Sequence, residues 1–383
     1  AICSKNLSES SINTTVDDRP EDYFTTTLYA GDNSNDRTIP IGFTPDFVWL
    51  KARNSTATHI LYDSIRGNTH WISTVNNPAQ TTNSSLGWGD SGPTTNGFKV
   101  YKGTNASINN TGTNMVAWTW KAGGAPSATN SNTSGAMTAN SVSLNGTLQS
   151  SYTPSGSPTQ YPTKMSINTK AGFSIVGWTG AGAIKTLPHG LSSAPEMMVL
   201  KGTDARAWTI WHKDLTSGAY YVNFSSTNNQ SSDNAMFNSA VPDANLFTIG
   251  TYNYVNTVPY FGYFWHSVPG YSKIGKYVGQ NVANDGPFIE LGFKPAWVML
   301  KSLQNSTPWQ IYDNKRSPIN PVNEDLIAQG TNIEPYSTNS QLDFVANGFK
   351  LMSGGNNGWN NYNGGTWIYM AFAEDPFKYS EAR

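Results

Sequence analysis

The stretch Pro45-Asp46-Phe47-Val48-Trp49-Leu50-Lys51 joins an apolar run to a lysine, and it recurs twice further along the chain. The second copy is Pro195-Glu196-Met197-Met198-Val199-Leu200-Lys201, and the third is Pro295-Ala296-Trp297-Val298-Met299-Leu300-Lys301. A short run that is apolar at nearly every position is typical of a strand with both faces covered. The repeat therefore predicts one buried strand in each of three similar structural units.

A second motif follows each copy at a nearly constant distance. It reads Asn96-Gly97-Phe98-Lys99-Val100, then Asn245-Leu246-Phe247-Thr248-Ile249, then Asn347-Gly348-Phe349-Lys350-Leu351. Its phenylalanine lies 53, 52 and 54 residues after the proline of the first motif. Spacing that is kept while the residues diverge indicates one structural unit used three times.

Short stretches with apolar residues at every second position, separated by Gly-rich and Asn-rich turns, indicate many short strands and few helices. The sequence predicts an all-β fold made of three homologous antiparallel β-sandwich units in tandem, of jelly-roll or lectin-like type. A short helix is expected near Asn320 to Gln329, where Pro321 suits a first turn and Glu324 and Asp325 favour its N-terminal end.

The predicted limits follow from the repeat and from composition. We expect an N-terminal arm at residues 1–22, sandwich units at 23–123, 172–270 and 271–383, and a Ser/Thr/Asn-rich excursion or extended hairpin at 124–171. Apolar residues spread through the excursion, such as Val142 and Ile167, indicate that it is ordered. Because the arm and the excursion offer few groups to pack within one subunit, we expect both to pack on neighbours or on a larger particle.

Charged residues make up 13% of the chain, about half of the ~25% that is usual in soluble domains, and aromatic residues make up another 13%. With 25 acidic and 24 basic residues, the chain lacks the excess of positive charge with which proteins bind nucleic acid or an anionic membrane. Its single cysteine, Cys3, predicts that no intrachain disulfide forms. An uncharged, surface-type composition without an export signal predicts assembly into a particle in the cytoplasm of a host cell, such as a virion.

The sequence resembles a repeated module of tail-fibre-like virion proteins of bacteriophages, including marine phages. The residues that carry the resemblance are Gly42 to Arg53 (GFTPDFVWLKAR), Tyr62 to Gly67 (YDSIRG), Asn168 to Val176 (NTKAGFSIV) and Tyr369 to Tyr379 (YMAFAEDPFKY). The match runs from about Tyr23 to Arg383. It implies a structural role in the virion and carries over no catalytic residue. Only a short arm precedes the first unit, so tail fibre, tail appendage and capsid decoration all stay open.

No catalytic residue, metal site or cofactor is predicted. Tyr-Asp-x-x-Arg occurs at 62–66 and at 312–316 but is replaced in the second unit, so we expect its Asp and Arg to brace a turn. Glycoside hydrolysis would need two carboxylates across a cleft, and spacing alone pairs none of the candidates Glu290, Asp313, Glu324, Glu334 and Asp343. The five histidines show no metal-ligand spacing.

Aromatic residues fall into two groups. Those on predicted strands are expected in the core: Trp49, Trp118, Trp178, Trp211, Trp297 and Trp309. Others lie between Gly, Asn and Ser, and these are the candidate receptor or interface contacts: Trp88, Tyr252, Tyr254, Trp359 and Tyr362. Rings beside amide side chains suit stacking on sugars, and they suit a subunit interface equally well.

The sequence thus predicts a non-enzymatic virion protein, a tail fibre or appendage that binds a host receptor or glycan. The alternatives are a capsid decoration or a purely architectural protein without a ligand, and more distantly an enzyme that degrades polysaccharide. The expected partners are other virion proteins, through the N-terminal arm, and a host surface glycan; no nucleic acid and no membrane insertion are expected. A homo-oligomer is expected, first of all a trimer, unless three units in one chain already replace a trimer.

Overall fold

The computed structural model describes residues 19–82, 93–101, 108–251, 257–335, 340–353 and 359–374. It confirms the predicted all-β fold, with antiparallel pairing throughout except for one parallel pair of strands in the excursion. In the first segment, a 3-10 turn at Pro20–Asp22 precedes β1 (Phe24–Ala30), β2 (Arg37–Pro40), β3 (Phe47–Ala52), β4 (Ile60–Asp63), β5 (His70–Trp71), β6 (Thr81–Thr82), β7 (Pro93–Thr94), β8 (Gly97–Val100) and β9 (Asn114–Trp120).

The excursion contributes β10 (Val142–Leu144), β11 (Thr147–Leu148) and β12 (Lys164–Asn168). The second segment contains β13 (Phe173–Thr179), β14 (Lys185–Pro188), β15 (Met197–Gly202), β16 (Thr209–His212), β17 (Tyr220–Tyr221), β18 (Ser231–Ser232), the helix α1 (Asn234–Phe237), β19 (Leu246–Ile249) and β20 (Pro259–Trp265). The third contains β21 (Ser272–Val278), β22 (Phe288–Glu290), β23 (Pro295–Ser302), β24 (Gln310–Asp313), β25 (Leu326–Ile327), β26 (Leu342–Val345), β27 (Gly348–Leu351) and β28 (Thr366–Ala373).

The main sheets of the three segments share one strand order. The orders are β1-β9-β3-β4, β13-β20-β15-β16 and β21-β28-β23-β24, in which the repeated apolar motif always forms the third strand. The companion motif always lies in a smaller sheet, paired as β2-β8, β14-β19 and β22-β27. The two motifs therefore occupy equivalent strands in all three segments. The predicted domain limits stay a prediction.

The outer face of each main sheet is covered by the smaller sheet of its own segment. In the first segment, Val48 and Leu50 of β3 pack in one cluster with Ile39, Phe98 and Val100. The third segment repeats this with Val298, Leu300, Ile289, Phe349 and Leu351. Side chains alternate along a strand, so Phe47, Trp49 and their equivalents face the other way.

The inner faces of the three main sheets meet in one shared aromatic core. The ring of Phe47 stacks on Tyr263 with 4.4 Å between centroids, and Trp120 packs edge-on against Trp297 at 5.7 Å. Because these contacts join three different segments, the chain does not form three independent sandwiches in a row. The tryptophans expected in the core are all buried: Trp49, Trp118, Trp178, Trp211, Trp297 and Trp309.

Equivalent hydrogen bonds close the three segments into a ring. His59 Nε2 donates to the Ile327 carbonyl (2.9 Å), Trp208 Nε1 to the Ser73 carbonyl (2.9 Å), and Trp309 Nε1 to the Asn223 carbonyl (2.8 Å), all to a neighbouring segment. The donors precede β4, β16 and β24, and the acceptors lie at one equivalent position, so the contact is the same in each case. A contact repeated cyclically three times defines a pseudo-threefold axis.

The Asp-Arg pairs brace turns, as expected, and also join segments. Arg316 Nε donates to Asp313 Oδ2 (2.5 Å), which also accepts from Trp118 Nε1 (3.0 Å) of the first segment. Asp63 likewise pairs with Arg66 and accepts from Tyr263 of the second segment. The third equivalent position is His212, whose Nε2 donates to a carbonyl of the third segment because its Nδ1 accepts from the Asp214 amide.

One expectation about the chain is wrong, and the reason given for another does not hold. No helix forms near Asn320 to Gln329, because Val322 bridges to Leu342 and β25 pairs with β24. The excursion does find partners within its own chain: β10 and β12 extend the second main sheet beyond β13, and β10 and β11 form a hairpin. It therefore needs no neighbouring subunit to satisfy its backbone.

Candidate binding surface

The strand registers define two ends of the molecule. We call the end at Ala30, Thr179 and Val278, where β1, β13 and β21 finish, the apical end, and the opposite end the basal end. Rotation about a pseudo-threefold axis keeps direction along that axis, so the three apical strand ends lie at the same end of the molecule. A seven-residue strand places the two ends roughly 23 Å apart.

Both ends of the described chain lie at the basal end. Lys121 N donates to the Tyr23 carbonyl (2.9 Å), just before β1 begins, and the Tyr23 ring contacts Tyr271 with 6.0 Å between centroids. At the other terminus, Glu374 N donates to the Lys294 carbonyl (2.8 Å), just before β23. Residues 108–113 and 359–365, which lead into β9 and β28, lie at the apical end instead, where Gly31 N donates to the Thr113 carbonyl (2.8 Å) and Gly279 N to the Gly365 carbonyl (2.9 Å).

Two of the five candidate contacts, Trp359 and Tyr362, are exposed at the apical end, by 44% and 45%. The two residues between them are fully buried. Asn361 Oδ1 accepts from the Gln280 amide (2.8 Å), and its Nδ2 donates to the Ser353 carbonyl (2.8 Å). Asn360 Oδ1 accepts from the Ser353 hydroxyl (2.7 Å). The two rings thus flank a pair of anchored amides.

A buried tyrosine supports the same turn from below. Tyr277 donates its hydroxyl to the Asn360 carbonyl (2.6 Å), and burial raises the pKa of Tyr277 well above its usual value, so the hydroxyl keeps its proton. The neighbouring loop is held at Gly279, whose amide donates to Gly365 (2.9 Å). We call residues 278–284 and 359–365 the aromatic platform. Trp359 and Tyr362 are three residues apart, so their Cα atoms are within about 11 Å.

The first segment carries the same scaffold without the rings. Tyr29 donates to the Ile108 carbonyl (2.8 Å), as Tyr277 does to Asn360. Asn109 is fully buried and occupies the place of Asn361. The residue at the place of Tyr362 is Asn110. Because this turn forms with asparagine at that position, the fold does not require the exposed ring.

Three equivalent lysines lie under the apical end, at the last position of the repeated motif. Lys51 donates to the Asn332 carbonyl (2.8 Å) and Lys301 to the Thr227 carbonyl (3.0 Å), each in a neighbouring segment, whereas Lys201 donates within its own segment. Burial lowers the pKa of Lys51 to about 8 and that of Lys201 and Lys301 to about 7. The repeated lysine was the sequence signal for these contacts.

The other candidate contacts, Trp88, Tyr252 and Tyr254, lie outside the described residues. Of the carboxylates considered for hydrolysis, Asp313 and Glu334 converge on Arg316, and Glu334 also pairs with Arg53 (2.7 Å). They hold the third segment against the first. Burial, and next the Glu334 carboxylate, raise the pKa of Glu324 beside this group. Glu290 accepts from the Asn347 amide in the outer sheet, away from this group.

A polar cleft of about 270 Å³ opens at the basal end. Its charged side chains are Lys294, Lys315 and Glu374, of which Lys294 and Glu374 are paired at 2.7 Å. Within the described ranges, no three His, Cys, Asp or Glu side chains group as metal ligands do. The described residues also contain no helix that is long and apolar enough to cross a membrane.

Comparison with protein-family models assigns the chain to a family by sequence. Residues 19–159 and 150–376 match the model described as a domain of unknown function, DUF7483, and the chain belongs to this family. The two matches do not follow the threefold recurrence of the strands. Comparison with characterised proteins and with solved structures finds no match.

Proposed function

We propose that the chain is a non-enzymatic structural protein of a bacteriophage virion, a tail fibre or appendage, that attaches by its basal end and binds a host receptor with its apical end. The observation that carries the proposal is the aromatic platform, where Trp359 and Tyr362 stand exposed on a turn whose inner amides are buried. Exposed aromatic rings on an anchored turn are typical of recognition surfaces.

The arrangement of the termini supports this orientation. The described part of the chain begins at Arg19 and ends at Glu374 on the basal side, about one strand length from the platform. An N-terminal arm that docks on other virion proteins would therefore point the platform outward. The resemblance of the repeated motifs to tail-fibre-like proteins agrees with the same role.

Two measurements test the proposal. Mass spectrometry of purified particles from the phage that encodes this chain should detect it in the virion. Purified protein added before infection should block adsorption to host cells, and W359A or Y362A should lose the block while Asn110→Ala, at the equivalent position of the first segment, should keep it. If the protein is detected in the virion but does not bind cells, the result would favour the alternative of a purely architectural protein without a ligand. Absence from the virion would refute the proposal.

A further inference from the structure

The aromatic platform carries no charge. Residues 277–284 and 359–366 contain no Asp, Glu, Lys or Arg, and Asp285, the next residue, is paired with Lys350 at 2.6 Å. Two aliphatic side chains of this region are exposed as well, Val278 by 53% and Val282 by 44%. Exposed amides of Gln280, Asn284 and Asn363 lie among them. The surface therefore combines apolar groups with uncharged hydrogen-bonding groups.

The equivalent apical loop of the first segment is charged instead. Asp32, at the place of Gln280, pairs with Arg37 at 3.4 Å. A second pair, Asp36 with Lys99 at 2.8 Å, corresponds to Asp285 with Lys350, which lies beside the platform in the third segment. Both loops are anchored by a buried tyrosine and a buried asparagine at equivalent positions. The neutral, ring-bearing surface is thus a property of the third segment and does not follow from the shared fold.

We propose that the aromatic platform binds a neutral saccharide. This inference rests on the proposed function and names the ligand class of its surface. A sugar ring offers an apolar face of C–H groups that packs on Trp359 and Tyr362, while its hydroxyls exchange hydrogen bonds with the surrounding amides. Because the Cα atoms of Trp359 and Tyr362 lie within about 11 Å of each other, one oligosaccharide can reach both side chains.

Two other ligand classes fit the surface less well. An acidic polysaccharide would find no cation on the platform to pair with its carboxylates. A protein partner that binds stably needs about 1,200 Å² or more of total buried surface with an apolar centre. The apolar side chains here are only half exposed and are interrupted by amides. A small neutral polyol matches both the size and the chemistry.

The test uses the full chain and immobilised oligosaccharides of equal length in two series. One series is neutral (gluco-, galacto- and manno-oligosaccharides) and the other contains the corresponding uronic acids. We expect binding to at least one neutral series, a loss of about tenfold or more in affinity with W359A and with Y362A, and little change in Phe288→Ala, an exposed ring of the same segment outside the platform. Raising NaCl about tenfold should leave the affinity nearly unchanged.

Several results would overturn the inference. These are binding to the uronic acids alone, affinity that falls steeply with salt, or full binding by W359A and Y362A. If no neutral series binds while the protein still blocks adsorption to cells, the saccharide inference fails and the proposed function stands. If the protein neither binds sugars nor blocks adsorption, both fail. Folding of each variant is checked by its unfolding transition, so that loss of binding is not confused with loss of structure.

Discussion

Removing the Asp313 carboxylate tests the closed ring of segments most directly. In the native protein Asp313 and Arg316 have fully buried side chains, and Asp313 also accepts the Trp118 indole hydrogen from the first segment. Asp313→Ala leaves a buried guanidinium without its nearest partner and a buried indole donor unpaired. Breaking a buried ion pair from one side costs about 3–5 kcal/mol when the remaining charge has no other partner. Arg316 keeps a second carboxylate, Glu334 at 2.9 Å, so we expect the free energy of unfolding to fall by about 3 kcal/mol, the lower end of that range.

Urea unfolding, followed by tryptophan fluorescence and by circular dichroism, measures the change. Both signals should move to lower urea together, because Asp313 joins two segments that share one core. Asp285→Ala is the matched control: it removes an ion pair of similar length, 2.6 Å, in which the Asp285 side chain is 79% exposed. The control should change the transition little, since solvent screens an exposed pair.

Two outcomes would refute this reasoning. The first is a loss of less than about 1 kcal/mol in Asp313→Ala, the size expected of an exposed pair. The second is the appearance of two separated transitions, which would mean that the third segment unfolds without the first. Asp63→Ala, at the equivalent position of the first segment, should also lower the free energy of unfolding, because it removes the carboxylate that accepts hydrogen bonds from Arg66 and Tyr263.

Four further predictions follow from the same contacts. Burial lowers the pKa of His212 to about 3, so the folded protein resists protonation of a side chain that the unfolded chain protonates near pH 6.5. The free energy of unfolding should therefore decrease as the pH falls below 6.5, by about 2 kcal/mol at pH 5, and it should depend less on pH in His212→Gln. Asn361→Ala should weaken binding and local hydrogen-exchange protection together, since it frees the platform turn. Light scattering should give a monomer near 41.7 kDa, because the three segments already bury their inner faces against one another, whereas the trimer expected from sequence would give three times that mass. A fragment of residues 271–383 should show no cooperative unfolding transition by itself, yet it should co-purify with a fragment of residues 1–270. A cooperative, native-like unfolding transition of the isolated fragment would contradict the shared core.

The cost of separating the third segment can be set against the stability of a domain. Its inner face buries Trp297, Met299, Ile368, Met370 and Phe372, each no more than 2% exposed. Exposing one such side chain costs about 1.5–3 kcal/mol, so the five together cost roughly 7–15 kcal/mol. That is the whole stability of an ordinary domain. For this reason the limits read from the repeat do not predict separable folding units.

The all-β class and the equivalent strands followed from sequence because they depend on local pattern. The apolar run, its spacing to the companion phenylalanine, and the turn residues between strands are all visible in the chain. The sequence also carries a Trp or His directly before β4, β16 and β24, at His59, Trp208 and Trp309. The hydrogen-bond acceptor of each donor could not be predicted from the sequence, because the acceptors are backbone carbonyls, which every residue carries.

The helix expected near Asn320 failed for a tertiary reason. Pro321 and the following acidic residues do suit a helix start, but Gln310 and Ile311 of β24 offered a strand edge to Leu326 and Ile327. Pairing at that edge outweighed the local preference. For the candidate surface, the exposure of Trp359 and Tyr362 agrees with their Gly-rich and Asn-rich surroundings. The anchoring role of Asn360 and Asn361 was not readable, because buried and exposed asparagines look alike in a sequence.

A single chain with a pseudo-threefold axis differs from a homotrimer in one consequential way. In a homotrimer the three apical loops are identical, whereas here Asp32 and Asn110 of the first segment occupy the places of Gln280 and Tyr362 in the third. The buried tyrosine and asparagine that hold each of these two loops contact residues of their own segment. Substitution of the exposed residues therefore leaves the shared core untouched. The architecture permits different recognition surfaces at one end of one molecule, which identical subunits cannot provide.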